Sequence, residues 1–153
     1  MDIYEQAVLQ YISAPVWRFV NPQMALPYEV NKGESCPDFV VLDFRLKTFY
    51  VVEVTVASNI TAQLKKIKDR EKRWYSPLRQ HISQYYNSSY FTTWNYRVTL
   101  FIRADMFEHA NAALMGNKDV PVCKVETTFQ GWTWNWGEDN INPLETSPDD
   151  PPS

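Results

Sequence analysis

Cysteine and long apolar runs are both scarce in this chain, and their scarcity excludes several classes of protein. The only two cysteines among 153 residues are Cys36 and Cys123. They lie far apart and match no metal-ligand spacing, which argues against a disulfide scaffold and a zinc site. No apolar run approaches the roughly 20 residues that a membrane-spanning helix needs. The N-terminal stretch MDIYEQAVLQYI is too acidic and interrupted for a secretory signal. These absences predict an intracellular protein, in the cytoplasm or nucleus, with buried thiols and no membrane partner.

Charge is unevenly distributed along the chain. The net charge of -3 argues against a nucleic-acid partner until the charges are located. Residues 61–79 contain seven basic side chains and two acidic ones, whereas the last 17 residues contain five acidic side chains and no basic one. Local charge is what attracts phosphates, so the segment 61–79 is a candidate nucleic-acid surface.

The pattern of apolar residues predicts a single α/β domain over 1–137 and an acidic, proline-rich, disordered tail over 138–153. A mixed central sheet is expected, with the second strand of a β-hairpin at its centre because that strand is apolar on both faces. Polar, proline-containing NPQMALP predicts a loop. Period-3.6 patterns predict helices over 2–12, 61–78 and 105–115, and strand-like runs predict strands over 17–20, 39–45, 48–57, 96–102 and 120–129. Ser76-Pro77 is a potential break near the end of the second helix.

Two carboxylates interrupt the apolar strands of the predicted hairpin. Asp38 begins one strand and Glu53 lies in the middle of the next, FYVVEVTVA. A carboxylate is costly to bury without a partner, and a divalent cation removes that cost. Mg²⁺ or Mn²⁺ takes hard oxygen ligands, and the backbone carbonyl of Val54 is a natural addition to the two carboxylates. The alternative interpretation pairs Glu53 with a lysine across the sheet and makes Asp38 the cap of a turn.

The same residues resemble the PD-(D/E)xK nuclease superfamily, whose members have the restriction-endonuclease-like fold. Pro37-Asp38 is followed by 14 residues and then by Glu53 in an apolar strand. The predicted order of elements over 2–103 is similar to the superfamily's αβββαβ core, with an extra C-terminal helix and strand. Thr55 occupies the place of the superfamily's lysine. The resemblance therefore implies a metal-dependent nuclease, an endonuclease in its closest branches, whose lysine has moved to the following helix.

Two branches of the superfamily supply that lysine from the helix. PDFVVLD, VVEVTV and EKRWYSPL are similar to the restriction-like endonucleases of non-LTR retrotransposons, and VVEVTVAS with KKIK is similar to the cap-snatching endonucleases of arenavirus-like polymerases. A viral or mobile-element origin is therefore expected. The second comparison implies Lys66 as the catalytic lysine and Glu5, on the first helix, as a further metal ligand. Lys72 is the second choice for the lysine.

The mechanism implied is hydrolysis of phosphodiester bonds in DNA or RNA. Asp38, Glu53 and the Val54 carbonyl hold one cation, Glu5 completes a second site, and the helix lysine orients the attacking water and offsets transition-state charge. The other basic side chains of the helix are expected to contact the phosphate backbone; these are Lys65, Lys68, Arg70 and Arg73.

Two interpretations compete with an active nuclease, namely a binding module without catalysis and a small assembly protein. Thr55 and the absence of a histidine from the first helix favour a nuclease-fold module that binds nucleic acid or protein without catalysis. The motif GWTWNWG alternates Trp132, Trp134 and Trp136 on one face. Alternating aromatic residues on a terminal strand more often cover a core or a subunit contact than stack on bases, so this face predicts a homodimer or a larger assembly.

Overall fold

The computed structural model describes residues 1–28, 33–86 and 89–130. The predicted tail and the face of Trp132, Trp134 and Trp136 lie outside the described residues. The helices are α1 (Ile3–Ser13), α2 (Thr61–Lys68), α3 (Ser76–Tyr85), α4 (Phe107–Ala113) and α5 (Val125–Gln130). The strands are β1 (Arg18–Pro22), β2 (Leu26–Tyr28), β3 (Gly33–Ser35), β4 (Phe39–Asp43), β5 (Thr48–Thr55), β6 (Asn95–Ile102) and β7 (Val122–Lys124).

A mixed five-stranded sheet in the order β1-β4-β5-β6-β7 forms the centre of the molecule. The pairs β1–β4 and β4–β5 are antiparallel, whereas β5–β6 and β6–β7 are parallel. The α/β class, the mixed sheet and the central position of β5 are therefore confirmed. β2 and β3 pair only with each other, so the segment predicted as the loop NPQMALP contributes a short strand to a separate hairpin.

Helices cover both faces of this sheet. On one face, Val8 and Ile12 of α1 pack with Tyr50 and Val52 of β5, and Val125 of α5 joins them. On the other face, the α2–α3 segment and α4 contribute buried residues to a larger core; these include Ile67, Trp74, Leu78 and Ala110. The two cores give the domain three layers, with the sheet in the middle.

The first helix begins with a reciprocal capping arrangement. The Asp2 side chain accepts the backbone N–H of Glu5 at 2.8 Å, and Glu5 Oε2 accepts the backbone N–H of Asp2 at 3.0 Å. These two bonds satisfy N–H groups that a helix terminus leaves without partners. They also fix the place of Glu5 at the start of α1.

The long helix predicted over 61–78 is interrupted in the structure. α2 ends at Lys68, a π-helical turn spans Glu71–Tyr75, and α3 continues to Tyr85. Pro77 explains the interruption, because it has no N–H and its ring clashes with the carbonyl four residues earlier in a regular helix. A wider turn before Pro77 accommodates the ring and leaves it in the first turn of α3.

The strand predicted over 120–129 is wrong for most of its length. Only Val122–Lys124 pairs with β6, and the chain then turns into α5. Val125 and Thr128 are both buried and lie three residues apart, which is the spacing of a helix and not of a strand. The prediction of buried thiols is correct for Cys123 only, since Cys36 is exposed; both cysteines are free.

A buried ion pair connects the start of β1 to the end of β4. Arg18 Nε lies 3.0 Å from Asp43 Oδ2, and both side chains are fully buried. The other oxygen of Asp43 accepts the backbone N–H groups of Arg45 and Leu46, which fixes the β4–β5 turn.

Within the described residues, no helix is both long and apolar enough to cross a membrane.

Candidate active site

Asp38 and Glu53 face each other at one edge of the sheet. Phe39 pairs with Val52 in the antiparallel register of β4 and β5, so the next pair outward places Asp38 opposite Glu53. Asp38 Oδ2 accepts the backbone N–H of Val54 at 2.7 Å. The hairpin thus brings together the two carboxylates that the sequence separates by 14 residues.

The backbone of Asp38 is held from a second direction. Its carbonyl accepts the N–H of Gln23 at 2.9 Å, and Gln23 has the positive φ of 54° that lets the chain turn beyond β1. Trp74 Nε1 donates to the Ser35 hydroxyl at 3.0 Å, which ties the π-helical turn to the strand just before Asp38. The position of Asp38 therefore depends on the sheet and on the helical layer together.

The Val54 carbonyl lies on the same side of β5 as Asp38. The N–H and C=O of one strand residue point toward the same neighbouring strand, and the N–H of Val54 points at Asp38. Two carboxylates and one carbonyl oxygen are then close together. All three are hard oxygen donors of the kind that Mg²⁺ and Mn²⁺ prefer.

Burial raises the pKa of both carboxyl groups. Glu53 is 7% exposed, and burial, followed by the charge of Asp38, raises its pKa to about 7. Burial also raises the pKa of Asp38 to about 6; the Val54 N–H opposes that rise, and the charge of Glu5 and a hydrogen bond with its side chain add to it. A cation placed between two carboxyl groups with raised pKa values stabilises their ionised forms.

Lys66 and Arg73 are the basic side chains that act on this pair. The positive charge of Lys66 lowers the pKa of both Asp38 and Glu53, and that of Arg73 lowers the pKa of Glu53. In both cases the effect of burial is larger, so the cations only partly offset it. Lys66 is half-buried, whereas Lys72 is exposed and is not among the largest electrostatic influences on either carboxyl group.

Glu5 lies beside Asp38, as the effect of its side chain on the pKa of Asp38 requires. In the described residues, however, no group of three or more His, Cys, Asp or Glu side chains is arranged to hold a metal ion. One oxygen of Glu5 is already bonded to the backbone of Asp2. Asp38, Glu53 and the Val54 carbonyl fit a hard divalent cation as a partial set of ligands, which Mg²⁺ ordinarily completes with water and substrate phosphate.

The predicted phosphate-contacting residues separate into two groups. Lys65 and Lys68 are exposed on α2 and remain available to a polyanion. Arg70 instead forms a two-bond ion pair with Asp119, at 2.6 Å from Nε and 2.9 Å from Nη2. This contact gives Arg70 a structural role, and its contact with nucleic acid stays a prediction.

Asp119 and Tyr75 were not singled out by sequence reasoning. Tyr75 Oη donates to Asp119 Oδ2 at 2.7 Å, so Asp119 bonds to Arg70, just before the π-helical turn, and to Tyr75, the last residue of that turn. Burial acts to raise the pKa of Asp119, but the hydrogen bonds from Arg70 and Tyr75 outweigh it and hold that pKa below its usual value. No local signal could have revealed this contact, because Asp119 lies 49 residues beyond Arg70.

Thr55 has a local role in the backbone. Its hydroxyl accepts the N–H of Ala57 at 3.2 Å, where the chain leaves β5. Trp94 is only 4% exposed and packs among aromatic residues of the core.

No family model, no curated protein and no solved structure matches this chain.

Proposed function

We propose that the protein is a divalent-metal-dependent nuclease of the PD-(D/E)xK type that hydrolyses phosphodiester bonds in DNA or RNA. The observation that carries the proposal is the pair of half-buried Asp38 and buried Glu53, opposed across the hairpin with both pKa values raised and with Lys66 beside them. A solvated surface pair would not show such shifts, and perturbed carboxyl groups next to a lysine are typical of functional sites.

Each residue has a chemical role in this proposal. Asp38, Glu53 and the Val54 carbonyl would hold Mg²⁺ or Mn²⁺, which supplies Lewis-acid polarisation of the phosphate and a more acidic bound water. Lys66 orients the attacking water and offsets negative charge that builds up on the phosphate oxygens. Glu5 adds a carboxylate next to Asp38.

Two further groups support the handling of a polyanion. Arg73 adds a second positive charge close to Glu53. Exposed Lys65, Lys68 and Lys72 provide a basic surface for the phosphate backbone. The free thiols of Cys36 and Cys123 fit the proposal of a reducing, intracellular setting.

The proposal is tested by incubating the full chain with labelled single- and double-stranded DNA and RNA, in Mn²⁺, in Mg²⁺ and in chelator. Cleavage that requires the metal and disappears in Asp38→Asn and Glu53→Gln is the expected result. Lys72→Ala is the matched control for Lys66→Ala. Cleavage that survives either carboxylate substitution would refute the proposed site.

A module that binds without cleaving is the second candidate, and Thr55 is the observation that favours it. The Thr55 hydroxyl bonds to the backbone of Ala57 and supplies no positive charge where the superfamily has a lysine. Calorimetry with Mn²⁺ separates the two candidates. Tight binding of oligonucleotides together with no divalent-cation binding would establish the binding module and reject the nuclease.

A further inference from the structure

A cleft of about 600 Å³ opens at the same edge of the sheet as the carboxylate pair. Four segments line it, namely the first turn of α1, the chain after β5, the chain after β6, and α5. The lining residues include Tyr4, Val56, Arg103, Asp105, Glu126 and Phe129. Its volume falls within the range of small-molecule sites, which extends from roughly 300 to 1,000 Å³.

Two exposed aromatic rings form one wall of this cleft. Tyr4 is 38% exposed and Phe129 is 37% exposed, and their rings meet edge to face with centroids 6.2 Å apart. Such exposure contrasts with Phe44, Phe49 and Trp94, which pack against one another within the domain. An exposed aromatic face can stack on a nucleobase of any sequence.

The rim of the cleft has groups that can bond to the edge of a base. Arg103 Nη2 lies 2.6 Å from Asp105 Oδ2 in a pair that remains about half exposed. Glu126 Oε2 accepts the backbone N–H of Ala104 at 2.7 Å. Guanidinium N–H groups and the other carboxylate lone pairs are a mixed set of donors and acceptors, as base edges are. One cation against two anions disfavours a phosphate, so the rim suits a neutral ring.

The cleft adjoins the proposed active site through the chain itself. Tyr4 precedes Glu5, and Val56 lies three residues after Glu53. Glu5 in turn lies beside Asp38, so the start of α1 connects the cleft to the carboxylates. Val56 packs on the α1 side of the sheet, whereas Glu53 faces the α2 side, so a strand with a phosphate at the carboxylates would pass around this end of the sheet to place a neighbouring base in the cleft. Bases in a duplex are stacked and paired, so only an unpaired nucleotide can turn its ring into the cleft without added cost.

We propose that the cleft between Tyr4 and Phe129 binds the unpaired base of a nucleotide adjacent to the cleaved bond, so that single-stranded nucleic acid is the substrate. The inference rests on the proposed nuclease function for the meaning of the cleaved bond. Base binding itself needs neither metal nor turnover, and the two ideas can therefore fail separately.

The test measures affinity in chelator, where a metal-dependent enzyme cannot cleave. A single-stranded oligonucleotide containing the fluorescent base 2-aminopurine is titrated with the full chain. Tyr4→Ala should weaken its binding about tenfold, since loss of one base–aromatic stack has an effect of that order. Tyr4→Phe should bind like the wild type. Tyr85→Ala is the control, because Tyr85 is 64% exposed and lies at the end of α3, before β6 begins, whereas the cleft lies beyond the end of β6.

Two further arms separate the base from the backbone. A strand of equal length with abasic sites should bind the wild type about as weakly as the intact strand binds Tyr4→Ala, and a duplex should not respond to Tyr4→Ala. Tyr4→Leu keeps an apolar side chain on α1, so it is the fallback if the alanine variant has a lower melting temperature. Equal affinity of the Tyr4 and Tyr85 variants, or equal affinity for intact and abasic strands, would overturn the proposal.

The cleavage assay keeps this proposal apart from the nuclease function. Metal-dependent cleavage with no effect of Tyr4 on binding rejects the cleft alone. Tyr4-dependent binding in a protein that cleaves nothing rejects the nuclease and leaves the base-binding cleft in place.

Discussion

Replacing Glu53 by glutamine should stabilise the metal-free protein at alkaline pH. Glu53 is 7% exposed, and its pKa is raised from 4.5 to about 7, chiefly by burial and then by the charge of Asp38. Above that pKa the folded protein contains a buried negative charge that Lys66 and Arg73 only partly offset. Glutamine has nearly the same shape and never ionises, so the electrostatic cost is absent from the variant.

The size of the effect follows from the shift of the pKa. A rise of about 2.5 units at about 1.4 kcal/mol per unit corresponds to a cost on the order of 3 kcal/mol for ionising Glu53 in the folded state. Because the folded pKa is above the unfolded one, the stability contributed by this group is present below pH ~4.5 and is lost as the pH rises to about 7. The free energy of unfolding of Glu53→Gln should therefore equal that of the wild type near pH 4.5. At pH 8 it should be larger than that of the wild type by on the order of 3 kcal/mol.

Urea denaturation in chelator at pH 4.5, 6 and 8 measures this difference as a shift of the transition midpoint. For a domain of this size, 3 kcal/mol corresponds to roughly 10 °C in melting temperature. Glu108→Gln on α4 is the control, because Glu108 is exposed and its substitution should leave the pH dependence unchanged. A Glu53→Gln variant that is no more stable than the wild type at pH 8 would refute the argument that Glu53 is buried without sufficient compensation.

Three other predictions follow from the site and its supports. Manganese should raise the melting temperature more at pH 8 than at pH 5, because burial raises the pKa of Asp38 to about 6 and its carboxyl group must lose a proton to bind metal. A shift of the melting temperature that is independent of pH would contradict Asp38 as a ligand. Lys66→Ala should lose turnover with substrate affinity nearly unchanged, whereas Lys72→Ala should only weaken salt-sensitive binding. Steady-state kinetics at two salt concentrations distinguish these effects, and the reverse pattern would make Lys72 the catalytic lysine. Asp119→Ala leaves the partly buried Arg70 without its carboxylate and should lower the free energy of unfolding by about 2 kcal/mol, a value reduced for partial exposure. A urea midpoint within error of the wild-type midpoint would contradict the contact.

The elements that the sequence predicts well are those with strong local periodicity. α1, the β4–β5 hairpin and β6 all agree with their predicted positions to within a few residues. The pairing of Asp38 with Glu53 follows from the same local pattern, because a short turn between two apolar strands fixes their register. What the hairpin brings together was therefore predictable from residues 38–53 alone.

The failures of prediction have non-local causes. β7 is shorter than the strand predicted over 120–129, because only three of its residues pair with β6. The chain then forms α5, which packs on the α1 side of the sheet. The interruption of the predicted helix before Pro77 has a local signal in that proline, but a proline does not specify a π-helical turn. The contact of Arg70 with Asp119, 49 residues further along the chain, has no signal in the helix.

The helical layer shows how far the sequence alone can identify the proposed catalytic lysine. On a regular helix Lys66, Arg70 and Arg73 lie on one side of the apolar stripe and Lys65, Lys68 and Lys72 on the other, so helical geometry alone leaves the choice between Lys66 and Lys72 open. In the structure Arg70 bonds to Asp119, while the charges of Lys66 and Arg73 act on Glu53. Lys66 lies within α2, whereas Arg73 lies in the π-helical turn between Arg70 and Tyr75, which both bond to Asp119. A change at Asp119 should for this reason displace Arg73 more than Lys66.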